Sequence, residues 1–353
     1  MATLQKNYRN IFVIGASAGG LEAIISMVKA LPDDLPAAIF IVQHMPPYAQ
    51  SNLGTILQHH TNLEVKRGED GEVVRSGVIY MASADRHLIV EDNRVVVSKG
   101  PRENRFRPAV DTLFRSASVC YRERVVGIVL SGVLNDGTSG MWTIKRYGGT
   151  AIVQDPEEAI FPDMPSGVMQ YTEVDHVLRA DEIGKLMGSI CRERIVPTSG
   201  GAGLTDEKLL QIEIGIGKGD NGLMMGLLEH GGPSPLTCPE CHGALTQFEE
   251  GHLVRYRCHT GHAHTGDSLL NSLRDNLEKS MWELMRGMEE ARLLLERMAD
   301  KIQEGLGDEL AQQYRERALR FQRQAVDVQR MIITSDPSYS GTQLDATTKP
   351  AGE

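Results

Sequence analysis

Long apolar runs alternate with amphipathic segments over residues 10 to 193, and this alternation limits the fold more than any other feature. Four runs are almost continuously apolar, as in strands buried on both faces of a parallel sheet: IFVIGAS, AAIFIVQHM, RVVGIVLSG and TAIVQD. The segments between them have helical spacing: LEAIISMVKAL, PAVDTLFRSASVCY and GMWTIKRYG. The pattern predicts an α/β fold with a doubly wound, mostly parallel sheet over residues 8–193. Residues 62–99 break the rhythm with short alternating segments and turn signals, which predicts inserted hairpins.

The composition changes after the α/β region. Gly, Ser and Pro are frequent in VPTSGGAG and HGGPSP, so we interpret residues 194–233 as a linker region. Apolar residues then recur at spacings of four and three, with an interruption at Gly305 and Gly307. This predicts an antiparallel helical hairpin over residues 267–333, followed by a disordered tail, residues 334–353. The predicted seam contains Leu277, Met281, Leu284, Met288, Ala291, Leu295, Met298 and Ile302, then Tyr314, Ala318, Phe321, Ala325, Val328 and Ile332.

Charge and hydropathy exclude several classes of function. The 353 residues have a formal net charge of -10 and no Lys/Arg block, so nucleic acid is not an expected partner. The N-terminus lacks the apolar run of a signal peptide, and no later stretch is long enough to span a bilayer. We therefore expect a cytoplasmic protein without direct membrane insertion.

A Gly-rich turn, GASAGG, follows the first predicted strand and precedes a helix. Such a turn directs backbone N–H groups at a ligand, so it suits either a bound phosphate or the oxyanion beside a serine nucleophile. The dinucleotide fingerprint requires a Gly where this chain has Ser17, and QHMPP offers no acidic ribose ligand after the second strand.

Three predicted strand ends carry Ser17, His44 and Asp136. Catalytic groups of open parallel sheets gather at that edge, and the three residue types match a nucleophile, a base and its orienting carboxylate. Each also has a structural interpretation: a small turn residue, a satisfied histidine and a helix N-cap. Their joint occurrence at successive strand ends favours a catalytic triad.

Ordered motifs between Ile11 and Cys191 resemble the catalytic domain of the chemotaxis protein-glutamate methylesterase (CheB) family. They are VIGASAGG, VQHMPP, VIYMASADRHL, NRFRPAVDTLF, GIVLSGVLNDGTSG and AIVQDPEEAIFPDMP. The resemblance implies that Ser17 is the nucleophile, His44 the general base and Asp136 its partner, with no catalytic cofactor.

The resemblance also implies a reaction and a partner. The reaction is hydrolysis of γ-glutamyl methyl esters on a methylated chemoreceptor or related sensor protein, with release of methanol, and some relatives also deamidate glutamine. The alternative is a non-catalytic regulator that binds a sensor kinase or receptor through an esterase-like domain and its C-terminal helices.

Two features depart from the family pattern. The esterase motifs begin near residue 11, so we expect a form without the usual receiver domain. Val133 and Leu134 replace a Met and a Gly before the acid. If that Gly requires positive φ, Leu134 predicts a changed loop conformation near the oxyanion.

Three of the five cysteines cluster near four histidines, in CPECHG and RYRCHTGHAH. The spacing of Cys238, Cys241, Cys258 and His262 predicts a structural zinc in a ribbon-like module, residues 234–266. His259 and His264 compete for the fourth position, and a metal-free ribbon is the alternative. A catalytic zinc is not expected, because four protein ligands fill a tetrahedral shell. The helical hairpin is expected to pack on itself, to form a homodimer or to dock on a receptor.

Overall fold

The fold is taken from a computed structural model that describes residues 4, 7–49, 52–195, 204–303 and 308–334. Thr334 ends the last helix, and the rest of the predicted tail lies outside these residues. No helix among them is long and apolar enough to cross a membrane.

The α/β region contains nine strands. They are β1 (Ile11–Ala16), β2 (Ala38–Gln43), β3 (Glu64–Arg67), β4 (Val78–Met81), β5 (His87–Glu91), β6 (Arg94–Ser98), β7 (Val125–Val129), β8 (Thr150–Gln154) and β9 (His176–Leu178). Seven of them form a fully parallel sheet in the order β3-β4-β2-β1-β7-β8-β9. The chain moves outward from β1 in one direction and restarts at β7 in the other, so the topological switch point lies between β1 and β7.

Six helices cover this sheet. They are α1 (Gly20–Lys29), α2 (Leu53–Gln58), α3 (Val110–Tyr121), α4 (Thr138–Arg146), α5 (Asp163–Tyr171) and α6 (Ala180–Ile190). One buried cluster joins α1, α2 and α6 to one face, and a second joins α3, α4 and α5 to the other. Because strands buried on both faces have no polar side, they read as continuous apolar runs. The predicted doubly wound fold is therefore confirmed.

The hairpin prediction for residues 62–99 is only partly right. β5 and β6 form an antiparallel hairpin, but β3 and β4 extend the parallel sheet at its edge. Edge strands carry polar residues such as Glu64 and Lys66 on an exposed side, so their short alternation resembles that of a hairpin.

The predicted linker contains a helix, α7 (Leu204–Lys218). From Ile212 to Gly217 every residue of α7 is buried, so this part of the helix has no polar stripe from which to recognise it. A second sheet follows, with strands β10 (Gly232–Thr237), β11 (Ala244–Glu250), β12 (Leu253–Cys258) and β13 (Ala263–Thr265) in that order. Ile212 and Ile216 of α7 pack with Phe248 of β11 in a small core.

Two long helices follow, α8 (Gly266–Gln303) and α9 (Asp308–Thr334). The chain divides into two compact units, residues 1–270 and 271–353. In the second unit, Arg315 of α9 donates to Gln303 and lies 3.4 Å from Asp300, both near the end of α8, as expected of an antiparallel hairpin. In α8 five residues of the predicted seam are buried or half-buried, namely Met281, Met288, Ala291, Leu295 and Ile302. The other three, Leu277, Leu284 and Met298, are exposed, and Met285 and Ala299 beside the last two are less exposed. In α9 the predicted seam residues are buried or half-buried.

Candidate active site

Parallel pairing places Ser17 and His44 side by side at the carboxyl edge of the sheet. Ala16 of β1 is in register with Gln43 of β2, so each candidate residue is the first beyond a paired position. The His44 N–H donates to Ala16 O at 2.9 Å. The Gln43 side chain donates to the carbonyl oxygens of Ser17 (2.7 Å) and His44 (3.3 Å). Both backbones are therefore held where the two strands end.

The His44 imidazole lies between a carboxylate and an aromatic ring. Its Nε2 is 2.8 Å from Asp136 Oδ2, and both side chains are almost fully buried. The Phe106 ring stacks on the imidazole, with centroids 3.7 Å apart and planes 11° apart. His44 Nδ1 is buried and has no hydrogen-bond partner among the described residues. A neutral imidazole with Nε2–H directed at Asp136 thus keeps a free lone pair on Nδ1, as a general base requires.

Asp136 is held by donors from several segments. The N–H of Val110, at the first turn of α3, donates to Oδ2 (2.7 Å), and the N–H of Asp111 donates to Oδ1 (3.2 Å). Asn104 Nδ2 and the N–H of Gly137 also donate to Oδ1, at 3.0 and 3.1 Å. A carboxylate at a helix N-terminus is stabilised by the helix dipole and by these N–H groups.

The pKa values of the two neighbouring buried carboxyl groups, Asp136 and Asp111, shift in opposite directions. Burial opposes ionisation of Asp136, but the hydrogen bonds from His44 and Asn104 outweigh it and lower its pKa. Burial and the neighbouring Asp136 charge raise the pKa of Asp111 well above its usual range. Asp136 is therefore the carboxylate that stays ionised against His44.

Ser131, after β7, holds the turn that carries Ser17. Its carbonyl accepts the Ser17 N–H at 2.9 Å, and its hydroxyl donates to Ala18 O at 2.8 Å. A Cβ on the next residue, Gly132, would lie 2.8 Å from Ser17 Cβ and 2.1 Å from Met164 Sδ. The loops after β1 and β7 can pack this closely only because residue 132 has no side chain.

The loop before Asp136 contains a non-glycine residue with a positive φ. Leu134 has a φ of 68°, in the left-handed region. Leu134 thus adopts a conformation that glycine favours, and the expectation that it changes the loop relative to the family stays a prediction. The fold holds Leu134 in this left-handed conformation, which is unfavourable for a residue with a Cβ.

Leu134 provides a test of this strain. We expect Leu134→Gly to be more stable than Leu134→Ala by about 1 kcal/mol, the reverse of the usual order, because only glycine adopts positive φ without a Cβ clash. Urea denaturation of the two variants, which lose the same side chain beyond Cβ, measures the difference. A more stable alanine variant would contradict a positive φ at this position.

A separate group of side chains lies in the four-stranded sheet. The donor atoms of Cys238, Cys241, Cys258 and His262 all lie within 4.8 Å of one another. Cys241 Sγ is 3.6 Å from Cys258 Sγ, and His262 Nδ1 is 3.8 Å from Cys238 Sγ and 3.7 Å from Cys258 Sγ. Zinc–sulfur bonds of about 2.3 Å in a tetrahedron separate two sulfurs by about 3.8 Å. The cluster could therefore hold a metal ion.

The competing histidines are placed differently. His259 is exposed, and His264 is buried in β13 with Nε2 3.9 Å from Cys238 Sγ. Glu240 Oε2 lies 3.7 Å from the other ring nitrogen of His262, as carboxylates around metal-bound histidines commonly do. The hydrogen bond to Cys258 raises the pKa of His262 to about 9, so the metal-free cluster retains a proton that a metal ion would displace.

Comparisons with known proteins identify the first half of the chain. The sequence model of the CheB methylesterase family matches residues 12–187. A Leptospira interrogans protein, provisionally named protein-glutamate methylesterase/protein-glutamine glutaminase, is 38% identical over 181 residues, which are 51% of this chain and 93% of that protein. The chain belongs to the CheB methylesterase family.

Two further relatives are longer than the region that matches this chain. Proteins named protein-glutamate methylesterase/protein-glutamine glutaminase from Methanosarcina mazei and Thermotoga maritima are 36% and 37% identical to this CheB-family chain. The match covers 51% and 49% of this chain, and about half (52%) of each relative. The crystal structure of the Thermotoga maritima CheB methylesterase catalytic domain matches with a TM-score of 0.49 and 35% identity, over 51% of this chain and 97% of that one.

The fold brings the predicted residues together in two groups, Ser17 with His44 and Asp136, and the three cysteines with His262. Sequence reasoning missed the side chains that orient the first group: Gln43, Asn104, Phe106 and Ser131. These four residues lie within the motifs quoted above, but their spacing does not indicate that they contact the strand ends. His87, in another quoted motif, is fully buried and bonds to the Pro101 carbonyl, a structural position.

Proposed function

We propose that this protein is a serine hydrolase that demethylates γ-glutamyl methyl esters on chemoreceptors or related sensor proteins. The observation that carries the proposal is the buried His44–Asp136 pair, whose free Nδ1 lies at the strand ends that also carry Ser17. The names of the relatives indicate two substrate classes, the methyl ester of protein glutamate and the side-chain amide of protein glutamine. No observation specifically favours the non-catalytic regulator.

In the proposed reaction Ser17 Oγ attacks the ester carbonyl carbon while His44 Nδ1 takes the hydroxyl proton. Asp136 stabilises the resulting imidazolium, and backbone N–H groups of the loops after β1 and β7 hold the oxyanion. The imidazolium then protonates the leaving oxygen, and methanol departs. A water molecule, deprotonated by His44, attacks the acyl-enzyme and releases the glutamate carboxylate and Ser17.

The same site would deamidate glutamine, because the acyl-enzyme is identical and only the leaving group changes from methanol to ammonia. We place this chemistry in the cytoplasm, on the cytoplasmic part of the receptor. Homodimerisation through the C-terminal helices stays a prediction. Leu277 and Leu284 of α8, both more than half exposed, lie on the face it would use.

The proposed function is tested by methanol release from membranes that carry methylated receptors. Wild-type protein is expected to release methanol, and Ser17→Ala and His44→Ala are expected to abolish release. Absence of release by wild type across several receptors, with zinc supplied, would contradict the proposal.

We also propose that the Cys/His cluster holds a structural zinc. When bound, the ion would supply a cross-link between the β10–β11 turn and the β12–β13 turn. Three thiolates and one imidazole complete its shell, so it has no open position for substrate.

Metal analysis tests the zinc site. We expect about one zinc per chain in protein purified without chelators, and a clear loss in the double variant Cys238→Ser/Cys241→Ser, because two of four ligands are removed. Cys120→Ser, outside the cluster, serves as the matched control and should keep its zinc. Wild-type protein without zinc, or a double variant with undiminished zinc, would refute the site.

A further inference from the structure

The residues from Ala263 of β13 to Ser268 in the first turn of α8 contact the segment that carries Asn104. The Asn104 N–H donates to Ala263 O at 2.8 Å. In return, the Thr265 N–H donates to Asn104 Oδ1 at 3.0 Å, and Ser268 Oγ donates to the same oxygen at 3.2 Å. All these groups are buried.

These contacts determine the direction of the Asn104 amide. Because two donors occupy Oδ1, the NH₂ group must point the other way. It bridges the two buried carboxyl groups, donating to Asp136 Oδ1 at 3.0 Å and to Asp111 Oδ2 at 2.8 Å. A rotated amide would place its oxygen against two carboxyl oxygens and leave the Thr265 N–H without an acceptor.

The same segment also holds the residue before Asp136. Thr265 Oγ1 donates to Asn135 Oδ1 at 2.6 Å, and Asn135 Nδ2 donates to Asp267 Oδ2 at 2.9 Å. Thr265 is therefore connected to Asp136 in two ways, through the Asn104 side chain and through the backbone of Asn135. Both routes begin at Thr265.

We infer that residues Thr265–Ser268, which lie outside the family-matched region, position Asp136 against His44, with Thr265 and Asn104 as positioning residues. The inference rests on the proposed function of Asp136. A small rotation of the carboxylate weakens both the orientation of the imidazole and the stabilisation of the imidazolium. Displacements of this size at a catalytic group commonly cost about 10- to 100-fold in rate.

Two readouts of Thr265→Val test the inference. The first is the rate at which a fluorophosphonate labels Ser17, which we expect to fall about 10-fold or more because the base is misoriented. The second is the NMR resonance of the His44 Nε2 proton, assigned by its loss in His44→Gln. Its chemical shift should move upfield in Thr265→Val, since a displaced carboxylate weakens the hydrogen bond that the Nε2 proton makes to Asp136.

Three further variants separate positioning from general damage. Thr265→Ser keeps the hydroxyl and should restore both readouts. Ser268→Ala, a milder change, should move them in the same direction. Thr246→Val makes the same substitution at a buried threonine of β11, for which no side-chain hydrogen bond to a described residue is found, and should change neither.

A wild-type labelling rate together with a wild-type chemical shift of the His44 Nε2 proton in Thr265→Val would overturn the inference, as would an equal loss in Thr246→Val. If wild-type Ser17 does not react but the His44 resonance still responds to Thr265, the proposed function fails and the positioning of Asp136 stands.

Discussion

Replacing Ser17 by alanine is expected to reduce kcat for methyl-ester hydrolysis by at least about 10³-fold, because without the nucleophile no acyl-enzyme can form. What remains would come from substrate binding and oxyanion contacts alone. The fold should be unaffected, since the Ser17 backbone is held through its own N–H and carbonyl oxygen, by Ser131 and Gln43. We expect the free energy of unfolding to change by less than about 1 kcal/mol.

The measurement is methanol release together with fluorophosphonate labelling. Ser26→Ala is the matched control, because Ser26 lies half-buried on α1, the helix that follows the Ser17 turn. It should keep wild-type rates and labelling. If Ser17→Ala releases methanol at the wild-type rate, Ser17 is not the nucleophile, and the proposed mechanism is wrong.

The second large effect is expected in a buried ionic cluster that joins α3, α7 and the four-stranded sheet. Its side chains are at most 6% exposed. Three carboxylates balance three guanidiniums, in the set Glu103, Glu213, Glu250, Arg115, Arg255 and Arg257. Glu213 of α7 contacts all three arginines, at 3.2, 2.9 and 3.1 Å.

Removing the Glu213 charge leaves a buried excess of one positive charge. We expect Glu213→Gln to lower the free energy of unfolding by about 3–5 kcal/mol, the usual cost of breaking a buried ion pair from one side. Glu207→Gln is the control on the same helix. Its exposed pair with Arg122 should contribute less than about 1 kcal/mol.

The Glu213 effect should depend on pH. Burial opposes its ionisation, but the three arginines lower its pKa to about 2, from an ordinary value of 4.5. A depressed folded-state pKa stabilises the fold above the unfolded-state value, and this contribution is lost as the pH falls toward 2. The difference between wild type and Glu213→Gln should therefore be full above about pH 5 and shrink below it. Urea denaturation at several pH values measures this, and a difference independent of pH would contradict an ionised Glu213.

The ionic cluster has a consequence for the family-matched half of the chain. Arg115 and Glu103 lie inside the matched residues, but their partners Glu213, Arg255 and Arg257 lie beyond residue 187. Separating the two parts would leave Arg115 buried without its full set of carboxylates. This is the physical reason for testing every variant in the full chain.

Local patterns were sufficient to predict the α/β fold, and they indicated candidate residues for both sites, whose roles stay predictions. A parallel strand buried on both faces must be apolar throughout, so β1, β2, β7 and β8 could be recognised from their composition. Because parallel strands bring their carboxyl ends to one edge, Ser17, His44 and Asp136 could be grouped before any coordinates. The short spacings C-x-x-C and C-x-x-x-H likewise constrained the Cys/His cluster.

Tertiary structure decided the features that depend on contacts between distant segments. Residues 212–217 of α7 carry no polar stripe because they are buried on all sides, whereas Lys208 and Gln211 in the first part of the helix are exposed. Leu134 takes a left-handed conformation that its own preference opposes. Asn104 reaches Asp136 only because Thr265, 161 residues further along the chain, occupies the other end of its amide. The periodicity of apolar residues shows which side of a helix or strand faces water. The pairing of buried polar groups depends instead on which elements the fold brings together. The candidate site residues could therefore be proposed from the sequence, whereas the side chains that contact them were found only in the structure.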